Sequence, residues 1–156
     1  RPGFMTQVIK DIEALIRKAK REKLAPSVRM NGTSDIKWEK ISCGCHKNLM
    51  AHFPELVFYD YTKIPVRYRQ NLPANYSLTF SLNEANLHEA LEALEEGSNV
   101  AVVFRLDHLG NLPEFFHGYR VIDGDKHDAR YLDASGVVVG LKAKGDALKD
   151  TSGFVY

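Results

Sequence analysis

The sequence predicts an α/β protein: an open or partial barrel of mostly parallel strands with flanking helices. Three observations carry the prediction. Short apolar runs recur along the chain, segments of helical periodicity separate them, and one run, Asn99 to Phe104, is apolar almost throughout. A run without polar alternation is the pattern of a strand buried on both faces, as parallel sheets require. Strands alternating with helices form βα units. Six such strands are too few to close the roughly eight-stranded barrel that these units can build.

The first element is a helix, because Val8, Ile12, Leu15, Ile16 and Ala19 share one face while Lys10, Arg17, Lys18 and Lys20 lie elsewhere. Ala25-Pro26 ends it, since a proline ring disfavours helical geometry in the residue before it. Ser27 to Met30 then reads as a strand. Trp38 to Phe53 predicts a second helical stretch, broken at Ser42-Cys43-Gly44-Cys45. Leu56 to Tyr59 and Tyr76 to Phe80 are the next strands. Asn86 to Glu95 predicts a helix with Leu87, Ala90, Leu91 and Leu94 facing the core, and Gly97 stops it. After the strand Asn99 to Phe104, Leu109 to Gly118 reads as a loop with aromatic packing. Tyr119 to Ile122 and Val137 to Leu141 are the last strands. Val28, Met30, Val57, Leu78, Val102 and Val137 are among the residues expected in the sheet.

At 156 residues the chain is most simply one α/β domain, residues 1–156, long enough for a substantial core. Arg1 to Phe4 reads as a tag remnant before Met5 or as the tail of a longer protein. A formal charge of +1 gives no whole-protein field toward nucleic acid or anionic lipid. No apolar run approaches the roughly 20 residues of a membrane span. The amphipathic N-terminus is unlike a signal peptide, and Cys43 and Cys45 are too close in sequence to staple a fold. A cytoplasmic protein is expected.

The informative pattern is positional. Nearly every predicted strand ends in polar residues: Asn31-Gly32-Thr33-Ser34-Asp35, Asp60-Tyr61-Thr62-Lys63, Ser81, Arg105, Asp123 through Arg130, and Lys142-Ala143-Lys144. Carboxyl ends of parallel strands share one rim, where ligands bind. Asp35, Asp125, Asp128 and Lys63 are the expected catalytic groups. Asn31, Thr33, Ser34, Ser81, Arg105, Arg130, Lys142 and Lys144 are the expected ligand-binding groups. Asp60 and Asp123 are expected to bind metal, with Mg²⁺ favoured by hard carboxylate oxygens. Arg130 is expected to pair with Asp35, Asp125 or Asp128. Each piece also has a plainer reading: Asp35 and Glu39 as helix caps, Asp123-Gly124-Asp125 as a turn, Lys142 and Lys144 as a solvated edge. Cys43-Gly44-Cys45-His46 is a weak metal candidate, since tetrahedral sites want four ligands at wider spacing. Of the histidines, His127 is placed for acid–base work.

Arg29 through Glu39, Phe58 through Lys63, Asn75 through Ser81, Asn99 through Phe104, Gly124 through Arg130 and Gly140 through Gly145 together resemble a bacteriophage-encoded family, gene product eighty-eight, of unknown function. The resemblance runs from Arg29 to the C-terminus. It implies the host cytoplasm as location. Members of that family carry a cysteine-containing segment upstream of the first helix. The present chain lacks it, which implies a fragment or a shortened member. More distantly, such sequences are similar to the partial barrels of radical-SAM enzymes. Those need more cysteines than Cys43 and Cys45, so no iron–sulfur cluster is expected here.

The function expected is binding of, or action on, a phosphorylated small molecule or nucleotide with a divalent metal. The alternative is an accessory phage protein that binds a host protein or nucleic acid without catalysis. A nucleic-acid surface would use Arg17, Lys18, Lys20, Arg21 and Lys23 with Tyr61, Tyr68 and Arg69. Reaction type and oligomeric state are not legible in the sequence.

Overall fold

The computed structural model describes residues 3–65 and 71–156; Tyr68 and Arg69 lie outside the described residues. Three α-helices occur among them: α1 (Phe4–Glu22), α2 (Leu49–His52) and α3 (Leu87–Glu95). The strands are β1 (Ser27–Val28), β2 (Val57–Thr62), β3 (Tyr76–Ser81), β4 (Val100–Phe104), β5 (Phe115–Phe116), β6 (Tyr119–Asp123) and β7 (Val138–Lys142). They form one open seven-stranded sheet in the order β1-β2-β3-β4-β7-β6-β5. β1 and β2, β3 and β4, β4 and β7, and β6 and β7 pair in parallel, while β5 and β6 form an antiparallel hairpin. The fold is α/β with a mostly parallel sheet. No helix among the described residues is long and apolar enough to cross a membrane.

The chain gathers into two compact units, Arg1–Tyr59 with Leu72–Ser77, and Asp60–Asn71 with Leu78–Tyr156. In the first, Ile12 and Ala19 are the buried residues of α1, and Leu15 of the same face is 37% exposed. The helix stops at Glu22, ahead of the proline, because Lys23 turns into left-handed geometry at φ 56° and gives its N–H back to Lys20. β1 is shorter than expected and leaves Met30 outside it. The stretch from Trp38 to Phe53 is a 3-10 turn (Trp38–Lys40) followed by the four-residue α2, broken where the sequence predicts but with shorter helical pieces than expected. Between them Cys43 and His46 exchange backbone hydrogen bonds around Gly44, whose φ of 59° makes the turn. The Asn75 amide closes the end of α2 by reaching the carbonyls of Met50, Phe53 and Leu56 at 3.2, 3.0 and 2.9 Å.

In the second unit, α3 lays Ala90, Ala93 and Leu94 onto a core containing Phe80, Val100, Val102, Phe104 and Val138. Gly97, at φ 82°, ends α3 as the sequence predicts, and Val137 falls just before β7. Phe115–Phe116 is a strand where a loop was expected; Gly118 at φ 85° and His117 at φ 49° make its tight reversal into β6. β4 keeps β7 along its whole length, Val100↔Val138 through Phe104↔Lys142. On its other edge Leu82 bonds Ala101, and Tyr156 then takes the carbonyl of Val103 at 3.0 Å. The last residues therefore occupy the strand position that β3 leaves.

Candidate functional site

Because β4, β7 and β6 are adjacent and parallel, Arg105, Lys142 and Asp123 stand at the same edge of the second unit. The register brings Asp123 opposite Gly140, and the chain then turns at Gly124, whose N–H bonds the Gly140 carbonyl at 2.8 Å. Both glycines are required by space. A Cβ on Gly124 would stand 2.5 Å from Val139 Cγ1 and 2.8 Å from Arg130 Nη1, and one on Gly140 would stand 2.7 Å from Val121 Cγ1.

That close packing fixes a small charge ladder. Lys142 Nζ lies 3.2 Å from Asp123 Oδ2, and Lys144 Nζ lies 2.8 Å from Asp125 Oδ1. Asp125 also accepts the Lys142 N–H at 3.0 Å, and Asp123 accepts the Asp125 N–H at 3.0 Å. Burial opposes ionisation of Asp123, but the Asp125 N–H and the Lys142 ammonium overcome it and hold its pKa below the usual carboxylate value. The Lys144 ammonium, against some burial, does the same for Asp125. The Asp123 and Asp125 side chains are each 25% exposed, those of Lys142 and Lys144 34% and 70%. Pairs this wet contribute on the order of 0–1 kcal/mol each.

Beside the ladder is a cavity of about 360 Å³ whose walls include Asn111, Glu114, Asp123 and Lys142. A second cavity, about 440 Å³, shares Asn111 and Pro113 with it and adds Phe104, Arg105, Phe115 and Tyr156. The loop between them is built, not slack. Asp107 Oδ1 accepts the N–H groups of Leu109 and Asn111, both at 2.8 Å, and the Asn111 N–H foremost holds its pKa down. Arg105 is exposed; its guanidinium donates to the Asp150 carbonyl, and its backbone N–H bonds Tyr156.

Arg130 does not pair with Asp125 or Asp128. Its guanidinium meets Asp133 at 3.3 Å, with side chains 1% and 3% exposed, and His127, through the ring Nδ1 at 3.2 Å and the carbonyl. The reason is chain geometry: Arg130–Leu132 is a 3-10 turn, which brings residue i+3 back to the arginine. Burial raises the Asp133 pKa, and Arg130 and His127 offset this only in part. Asp128 is exposed, and its carbonyl accepts the Arg130 N–H at 2.8 Å.

In the first unit, the loop after β1 is organised by Asn31, which is 1% exposed. Its Oδ1 accepts from the Ser34 hydroxyl, the Ile36 N–H and the Trp38 indole at 2.9, 3.1 and 3.0 Å, and its amide donates to the Ile36 carbonyl at 3.0 Å. Ser34 and Thr33 are exposed at the tip and Asp35 is half-buried. Asp60 lies inside β2 rather than at its end, and is fully buried by the alternation that also buries Phe58 and Thr62. Lys63 is exposed, its ammonium 5.9 Å from the centre of the Phe154 ring. Ser81 closes β3, and its carbonyl accepts the Asn86 amide at 3.0 Å.

A family profile described as Gene product 88 matches residues 1–156. The chain belongs to the gene product 88 family. These are phage gene products of unknown function. No curated protein and no solved structure matches the chain. The comparisons lend nothing to the distant likeness to radical-SAM barrels.

No three His, Cys, Asp or Glu side chains among the described residues come together to hold a metal ion. Asp123 takes Lys142 and a backbone N–H, and Asp125 takes Lys144 and the Lys142 N–H, so both rim carboxylates already have partners. What the rim offers is cations on neighbouring strand ends. The residues that sequence reasoning missed are Asp133, Asp107, Asn111, Phe115 and Tyr156. A signal existed for the second and third: Asp107-His108-Leu109-Gly110-Asn111 is a turn sequence with an Asp acceptor at its head.

Proposed function

We propose that this protein binds a phosphorylated small molecule at the carboxyl ends of β4, β7 and β6, through Lys142, Lys144 and Arg105. One observation carries the reading: these three cations stand on adjacent strand ends, two of them on the walls of adjoining cavities. Among the described residues Lys142 and Lys144 pair with partly exposed carboxylates, which an incoming phosphate dianion displaces at little cost. Arg105 spends one donor on the Asp150 carbonyl and keeps the planar face and remaining N–H groups suited to phosphate. The reading uses no metal and assigns no reaction.

Isothermal titration with ribose 5-phosphate tests it. The doubly substituted Lys142→Met, Lys144→Met protein is expected to bind about 10-fold more weakly than wild type, or worse, each lost charge-assisted contact being worth roughly 1.5–3 kcal/mol at most. Equal affinity in the two proteins overturns the proposal.

A further inference from the structure

We infer that the phosphorylated ligand is a nucleotide, with its base in the aromatic cavity and its phosphate at Lys142. This rests on the phosphate reading above and adds what lies beside the phosphate. The aromatic cavity, about 440 Å³, is of a size that takes a flat heteroaromatic ring. Its wall is a packed aromatic cluster: Phe116 meets Phe104 edge-to-face at 5.5 Å and Tyr156 at 5.0 Å, with ring planes at 74° and 84°. Such a chain of perpendicular rings holds each ring in place. Two aromatic residues of this wall remain open, Phe115 at 57% and Tyr156 at 39% exposure.

A sugar phosphate has no flat apolar surface to cover open rings, whereas a base does. Stacking on aromatic side chains is how nucleotides are held irrespective of sequence. Polar groups for the base edge are also present. Asn111, which supplies both a donor and an acceptor, and Pro113 line this cavity and the neighbouring one that holds Lys142 and Asp123. A single ligand can therefore reach from the rings to the lysine. Asp107 accepts the Asn111 N–H and so ties down the loop that carries Asn111.

The test is a titration of wild type and Phe115→Ala with a nucleoside 5′-monophosphate, ribose 5-phosphate and the nucleoside. Phe115 is exposed, so its loss should leave the fold intact. Wild type is expected to prefer the nucleotide over ribose 5-phosphate by about 10-fold or more, and Phe115→Ala to erase that preference while binding ribose 5-phosphate as before. Equal affinity of wild type for the nucleotide and ribose 5-phosphate overturns this inference and leaves the phosphate reading standing. Absence of binding by either phosphate ligand overturns both. A nucleoside that binds as tightly as its phosphate overturns the phosphate reading and the joint placement with it.

Discussion

At the scale of single residues, the buried polar groups say most about design. Asn31 is almost wholly buried and its carboxamide oxygen serves three donors, so the side chain replaces a backbone partner for the loop it heads. Asn31→Ala leaves the Trp38 indole and the Ile36 N–H without that acceptor, and is expected to lower stability by about 2–3 kcal/mol. A lower urea midpoint at unchanged ribose 5-phosphate affinity would check it. Sequence reading found Asn31 as a polar residue in a crowded loop, but type and spacing do not tell an internal brace from a ligand contact. Asp133 shows the same limit: nothing in its neighbours marks it as the Arg130 partner, because a 3-10 turn is not a periodic signal. Its pKa is raised in the folded protein, chiefly by burial, so the folded state holds that proton more tightly than the unfolded one. The group therefore favours folding most at low pH, and that contribution is lost as pH rises through the raised pKa. Measured against Asp133→Asn, which cannot titrate, wild type should lose stability across the pH window that opens just above the ordinary aspartate pKa of about 3.9. A gap between the two proteins that stays constant across that window contradicts the assignment.

At the scale of elements, β6 and β7 make the candidate site by what happens just past their ends. Asp123 and Asp125 compete with any anion for Lys142 and Lys144, and removing the competitor should help the anion. Asp123→Asn is accordingly expected to bind ribose 5-phosphate a few-fold more tightly than wild type, a gain of up to about 1 kcal/mol. Were Asp123 a metal ligand on which binding depends, the same substitution would abolish binding, so one titration separates the two roles. Gly124→Ala forces Val139, Leu141 and Arg130 aside and should cost about 1–3 kcal/mol, seen in thermal melting. Most elements were legible because they bury one face with a clear period: α1, α3 and the apolar β4 are where the spacing puts them. Those that were not lack a period. β5 is two residues long, and its pairing depends on the left-handed His117 and Gly118. The break at Gly44 was read correctly, but the helical pieces on either side, three and four residues long, are too short to carry a period of their own.

At the scale of the whole chain, strand order is the property the sequence did not carry. Periodicity marks a strand but not its neighbour, and β7 enters between β4 and β6, so the edge that gathers Arg105, Lys142 and Asp123 comes from a crossover. Once the order is known, Arg105, Lys142 and Asp123 share an edge simply because β4, β7 and β6 run parallel. The chain's formal charge of +1 limits how the proposed phosphate would be held: attraction would have to come from a few placed cations and would weaken with salt. Metal is the remaining variable. The Cys43–His46 turn closes on its own backbone hydrogen bonds with Cys43 fully buried, and the rim carboxylates pair with lysines, so neither the turn nor the rim is expected to need an ion. Excess EDTA under reducing conditions is therefore expected to leave both the melting temperature and the ribose 5-phosphate affinity where they are. A melting temperature that collapses with chelator would place a structural metal in the chain. An affinity lost with chelator and restored by Mg²⁺ would return Asp123 and Asp125 to the role of ligands.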